Sequence, residues 1–260
     1  MILKIFSYKH THVSYTDQGK GSALFFLHGF LESNSMWKNI AKELAKKFRV
    51  VCIDLLGHGQ SGCLGYVHTM EDQADMIHAL MSHLRLRKIS LIGHSMGGYI
   101  TLAFAELYPD HVKNLVLINS SARPDSAERK LNRDRAIKAV KQNSDLFIQL
   151  SVSNLFMPES LKKHQKKVDR LIDEAKQIPV QGVIAALEGM KIRPDREVLL
   201  HFGPYPKLII AGEHDTIIPI NEVRDQTETT DAELIILNCG HMATIEAEKE
   251  TLRQLSDFLK

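Results

Sequence analysis

The stretch Gly93-His94-Ser95-Met96-Gly97-Gly98 directly follows the apolar run Ile89-Ser90-Leu91-Ile92 and leads into the apolar segment 99–108, which stops at Pro109. The first run reads as a strand and the second as a buried helix ended by proline. Joining them over so few residues requires a sharp turn, and glycines at 93 and 97 leave room for the crowded backbone. Ser95 then stands at the apex of a strand-to-helix elbow, the arrangement that presents a hydroxyl as a nucleophile.

A hydroxyl with an ordinary pKa is a weak nucleophile near neutral pH, so Ser95 needs a base, and the base needs a group to orient it. Both lie downstream. The segment 206–211 is a short apolar strand ending in Gly212-Glu213-His214-Asp215, and Pro219 opens the next helix, so Asp215 falls in a loop at a strand's carboxyl end. Active sites of open parallel sheets are built there. Residues 233–237 form the next strand, followed by Asn238-Cys239-Gly240-His241 and a last amphipathic helix from about 242 to 259, which puts His241 in the equivalent loop. Glu213 is the rival acid. His214 precedes Asp215 in the turn and is expected to point away.

Further segments make the chain resemble the α/β-hydrolases along nearly its whole length. Tyr15-Thr16-Asp17-Gln18-Gly19 with Gly21 is similar to the family's second strand and turn, and Leu24-Phe25-Phe26-Leu27-His28-Gly29-Phe30 resembles its H-G-x oxyanion loop. Asp54-Leu55-Leu56-Gly57-His58-Gly59-Gln60-Ser61 resembles its D-x-x-G-x-G-x-S segment. Gly240-His241-Met242-Ala243-Thr244-Ile245-Glu246 resembles its G-H-x-x-x-x-E signature, with Ala243 where many members carry proline. The order Ser95, Asp215, His241 is also that family's order.

The resemblance implies an α/β class: an α/β-hydrolase fold with a mostly parallel eight-stranded sheet flanked by helices and a helical lid inserted between strands 6 and 7. It implies a triad of Ser95, His241 and Asp215, with oxyanion donors at the backbone N–H groups of Phe30 and Met96. Asp54 resembles a structural loop residue outside the triad. Asn119 follows the sixth strand, where some relatives place their acid, and its amide leaves that role to Asp215. His28, His58 and His94 lie in family loops and are expected to hydrogen-bond backbone in support.

The remaining organisation is ordinary for a single catalytic domain with an insertion, given 260 residues. The core is expected at 1–120 and 204–260. Between them, 121–203 changes to charged helical segments broken at Pro158, Pro179 and Pro194, the texture of a lid. Phe30, Phe147, Met157 and Met242 are the candidate pocket residues, with Leu155 and Phe156 beside them. A helix is expected near 35–46 and another near 70–84, where Thr69 and Asp72 resemble a capping box and Met70, Ala74, Ile77, Met81 and Leu84 recur at helical spacing.

Charge narrows the partners: 33 basic against 31 acidic residues, a net +2, gives no electrostatic case for nucleic acid. Lys162-Lys163-His164-Gln165-Lys166-Lys167 reads as the solvated face of a lid helix. Cys52, Cys63 and Cys239 are odd in number and far apart, which suggests neither a disulfide framework nor a zinc site and fits a reducing compartment. His10-Thr11-His12 places two imidazoles on one strand face with no further ligand at metal spacing, so a surface pair is expected. The N-terminal run 1–7 alternates like an edge strand and is too short for a signal peptide, and no window is apolar enough for a membrane span. The expectation is a cytoplasmic protein needing no metal or other cofactor, with a small-molecule ester or related carbonyl compound as partner and an open oligomeric state.

A serine elbow disfavours the dehalogenase and epoxide-hydrolase reactions that use aspartate at this point of the fold. Cleavage of a carboxylic ester with a small or medium acyl group is the first expectation, since it asks only for triad, oxyanion loop and apolar pocket. A carbon–carbon bond hydrolase, or a lyase like the menaquinone-pathway relatives, is the second, with Arg123 or Arg193 holding a carboxylate. A slow-turnover ligand receptor of the same fold is the third.

Overall fold

The computed structural model describes residues 2–260. Its apolar runs become the interior of a sheet whose two faces are both covered, which is why β3 (Ala23–Leu27) and β5 (Ile89–His94) are buried at every position. The other strands are β1 (Leu3–Tyr8), β2 (Thr11–Gln18), β4 (Arg49–Ile53), β6 (Val112–Ile118), β7 (Lys207–Gly212) and β8 (Glu233–Leu237). They form one eight-stranded sheet in the order β1-β2-β4-β3-β5-β6-β7-β8. β1 pairs antiparallel with β2, and β2 with β4; all other pairings are parallel.

Alternation along each strand splits the core in two. Phe25, Leu27, Leu91, Leu115 and Ile209 face one layer, while Leu24, Phe26, Ile92, Val116 and Ile210 face the other. The first layer is closed by α2 (Met70–His83) and α3 (Met96–Leu107), the second by α1 (Lys38–Leu44) and α12 (Glu248–Phe258). Thr69 caps α2 as its spacing predicts: Asp72 N–H donates to Thr69 Oγ1 at 2.9 Å, and the hydroxyl donates to the Asp72 carboxylate at 2.7 Å. Met70, Ala74, Ile77 and Met81 are buried beneath it.

Between β6 and β7 run six helices, α4 (Ala127–Gln142), α5 (Ser144–Ser153), α6 (Pro158–Lys163), α7 (Gln165–Ala175), α8 (Val180–Ile192) and α9 (Val198–Phe202). α10 (Ile220–Thr227) then starts behind Pro219. No helix among the described residues is long and apolar enough to cross a membrane.

Three local expectations change. The helix near 35–46 forms as a 3-10 turn, Asn34–Trp37, followed by α1. His10 leaves the strand face it was to share with His12, because Lys9 and His10, at φ 45 and 65, form the two-residue turn of the β1–β2 hairpin. The last helix breaks at Ala247, whose φ −128 and ψ 41 separate a short α11 (Ala243–Glu246) from α12. Glu246, at the end of α11, accepts the N–H groups of Gly240 and Met242 on one oxygen and that of Met157 on the other, at 2.9, 3.3 and 3.0 Å. It thus closes the loop that carries His241.

Candidate active site

Ser95 sits between β5 and α3 at φ 50 and ψ −115, backbone that costs a residue with a side chain of order 1–3 kcal/mol. The neighbouring glycines explain how so tight a turn is made. A Cβ at Gly93 would lie 2.3 Å from the Gly97 carbonyl oxygen, and one at Gly97 would lie 2.3 Å from that of Leu27. The elbow is also tied to the end of β6: Ser95 N–H donates to the Ile118 carbonyl at 2.9 Å, and Ser120 Oγ donates to the Ser95 carbonyl at 2.8 Å.

His241 Nε2 lies 2.8 Å from Ser95 Oγ, and His241 Nδ1 lies 2.7 Å from Asp215 Oδ2. The same Asp215 oxygen accepts from Asn119 Nδ2 at 2.9 Å, while Oδ1 accepts the N–H groups of Ile217 and Ile218 at 2.8 and 2.9 Å. Burial alone would push the Asp215 carboxyl up, but the adjacent imidazole and these donors bring it below its ordinary value. An ionised carboxylate only accepts, so Nδ1 of His241 carries the proton and Nε2 is left to take that of Ser95. Asn119 also donates to the Gly240 carbonyl at 3.1 Å, so one amide holds both the acid and the histidine loop.

Glu213 is exposed, and His214 points away, pairing with Asn238 Oδ1 at 3.0 Å. His28 bridges its own loop to the next strand's end, with Nδ1 on the Gly29 carbonyl at 2.7 Å and Nε2 accepting Leu55 N–H at 3.0 Å. Burial lowers His58 to about 3, so it is a neutral ring in the core. Asp54 accepts the N–H groups of Asn34 and Gln60 at 2.7 and 3.0 Å, a staple between two loops.

One group absent from the sequence reading is Glu32. It is buried, lies four residues after His28, and pairs with His94 Nδ1 at 3.0 Å. Its partner was visible in the elbow motif, but no local spacing joins two residues 62 apart.

A cavity of about 370 Å³ opens over Ser95 and His241, between the strand ends and helices α4, α5 and α8. Phe30 and Phe147 line it, with Tyr99, Leu155, Leu187 and Met190. Met157 does not: Pro158 holds it in extended backbone, Glu246 takes its N–H, and it borders a separate cleft with Glu213 and Pro219. Met242 does not either, being fully buried in the core. Arg123 is engaged with Glu197 and Asp225, and Arg193 is buried against Asp125 with its guanidinium 3.9 Å from the Tyr99 ring centroid; neither lines the cavity. The N–H of Phe30 and that of Met96, the first residue of α3, have no hydrogen-bond partner among the described residues.

Residues 22–248 match the family model of the alpha/beta hydrolase fold. Among solved structures, a thermophilic esterase from Thermogutta terrifontis is 31% identical and superposes with a TM-score of 0.93, covering 100% of this chain and 98% of its own. The dihydrolipoyllysine-residue acetyltransferase component of the acetoin cleaving system of Pseudomonas putida is 30% identical over 245 residues, which are 92% of this chain but 64% of that protein. The monoacylglycerol lipase abhd6-B of Xenopus laevis is 27% identical over 281 residues, covering 100% of this chain and 82% of the lipase.

Proposed function

The chain belongs to the alpha/beta hydrolase fold family and is a hydrolase enzyme, and from that premise we propose that it cleaves carboxylic esters of small or medium acyl groups with Ser95 as nucleophile. The observation that carries this reading is the unbroken hydrogen-bonded chain from Ser95 Oγ through His241 to Asp215, at 2.8 and 2.7 Å, beneath a largely apolar cavity. Similarity to an esterase at 31% identity supports the substrate class.

In this reading His241 Nε2 takes the Ser95 proton as Oγ attacks the ester carbonyl, and His241 returns it to the leaving alkoxide. Asp215, ionised and held by four donors, keeps the imidazole in the required tautomer and stabilises it when it is charged. The N–H groups of Phe30 and Met96, without a hydrogen-bond partner among the described residues, receive the oxyanion; a lost donor of this kind costs about 3–4 kcal/mol of transition-state stabilisation. Water then enters the same path and releases the acid. The strained backbone at Ser95 keeps its hydroxyl presented to the cavity.

We assign 1–120 and 204–260 to the catalytic core and 121–203 to a lid, because α4, α5 and α8 supply the cavity's outer wall while every residue of the hydrogen-bonded chain comes from the core. The carbon–carbon cleavage reading loses its nominated groups, since Arg123 and Arg193 are spent in ion pairs outside the cavity.

A panel of p-nitrophenyl esters of increasing acyl length, run beside a vinylogous diketone acid, tests the proposal. Multiple turnover of the esters with an optimum at short or medium chains is the expected result. Turnover of the diketone acid alone overturns it in favour of carbon–carbon cleavage, and a single stoichiometric acylation without release overturns it in favour of a receptor.

A further inference from the structure

The cavity is not apolar throughout. Two successive turns of α4 place Arg129 and Arg133 on its lining, with side chains 28% and 23% exposed, so both are only partly open to solvent. Arg129 is occupied: it forms a two-armed contact with Glu222 at 2.9 and 3.3 Å and donates to the Ile217 carbonyl at 3.0 Å. Arg133 is not. Only its Nε is used, on Asp125 Oδ2 at 3.0 Å, and its two terminal nitrogens have no protein partner among the described residues.

Asp125 cannot neutralise Arg133 alone, because its other oxygen accepts from Arg193 Nη1 at 2.7 Å. Three guanidiniums, of Arg129, Arg133 and Arg193, thus share two carboxylates, of Asp125 and Glu222. Within this set one positive charge exceeds the carboxylates, and the unpaired donors are the terminal nitrogens of Arg133, on the cavity lining, and the buried Nη2 of Arg193, which is off it. Across the cavity, the charge of Glu32 is spent on His94. A flat guanidinium with two free N–H donors side by side matches the two oxygens of a carboxylate, and a partly desolvated site strengthens that contact.

We propose that Arg133 is a specificity determinant that binds a carboxylate carried by the substrate away from its scissile carbonyl, so that the preferred substrates are monoesters bearing a free acid group. The inference rests on the ester reading for its chemistry. The charge arrangement around Arg133 does not depend on it.

The test compares neutral p-nitrophenyl acyl esters with mono-p-nitrophenyl esters of dicarboxylic acids of equal chain length, from succinate to suberate. A parallel series carries the acid on the alcohol side, as acetate esters of ω-hydroxy acids. Expected is at least a tenfold higher kcat/KM for the acid-bearing member at one length in one series, a ratio that shrinks in high salt. In Arg133→Gln the ratio should fall tenfold or more, with Arg133→Lys between. Equal kcat/KM for acid-bearing and neutral esters at all lengths, or a ratio unchanged by Arg133→Gln, overturns the inference. Calorimetric binding of the free dicarboxylates to the Ser95→Ala protein separates the two readings. Binding abolished in Ser95→Ala/Arg133→Gln, in a protein that hydrolyses no ester, supports the carboxylate site while the ester reading fails; no binding at any length overturns the site.

Discussion

Glu32 Oε2 lies 3.0 Å from His94 Nδ1 and 2.5 Å from the Gly29 nitrogen, so one buried carboxylate joins the loop after β3 to the residue just before Ser95. His94 extends the connection by donating from Nε2 to the His241 carbonyl at 2.9 Å. Three separate loops, carrying Phe30, Ser95 and His241, are held by this single chain of bonds. Burial acts against both charges, raising Glu32 and lowering His94, yet each favours the other enough that Glu32 ends below its ordinary value and His94 above it. The pair acts on the reaction through the positions of other groups.

Glu32→Gln should therefore lower kcat more than it raises KM and reduce stability by about 1.5–3 kcal/mol, the worth of a charge-assisted hydrogen bond. The pH dependence carries the signature. The folded value of Glu32 is lowered, so its contribution is complete above 4.5 and fades as pH falls through that lowered value. The folded value of His94 is raised, so its contribution is complete below 6.5 and fades as pH rises through that raised value. The gap in Tm between wild type and Glu32→Gln should be widest between pH 4.5 and 6.5 and narrow on both sides. A gap independent of pH would mean that the pair is not charged.

Asp215→Asn should fold and lose roughly ten-thousand-fold in kcat, because an amide at this point favours the wrong histidine tautomer. Glu213→Gln should change kcat little, since Glu213 is exposed and makes no bond to His241. Steady-state kinetics with thermal melts of both variants checks this, and reversed effects would move the acid to Glu213.

The cavity wall gives a third expectation. Phe147→Ala should shift the preferred acyl length upward by enlarging the space over Ser95, whereas Met157→Ala, in a different cleft, should leave the length profile in place. An acyl-length series on both proteins decides it; a shift with Met157→Ala and none with Phe147→Ala contradicts the assignment of the cavity.

These differences mark what a sequence can carry. Ser95, Asp215 and His241 were legible because each is announced locally, by glycine spacing at an elbow or by a polar loop closing an apolar strand, and the parallel strand order brings those loops to one edge. The Glu32–His94 pair was not, because it is made between two loops by tertiary packing alone. In the helices from α4 to α8, whether Phe147 or Met157 faces Ser95 depends on how the segment docks, and both are equally apolar in the sequence. The break at Ala247 was hidden for a related reason: residues 242–259 have helical spacing, but Glu246 is drawn to Gly240 and Met157, contacts that no helix-period argument contains.

A nucleophilic Ser95 is the residue acylated during turnover. Intact-mass spectrometry after a fluorophosphonate probe, with peptide mapping of the adduct, measures it directly. One adduct per chain on Ser95, none on Ser95→Ala, and a loss of turnover in that variant on the order of a million-fold are expected. An adduct that persists in Ser95→Ala, or turnover that survives it, rules out Ser95 as the nucleophile.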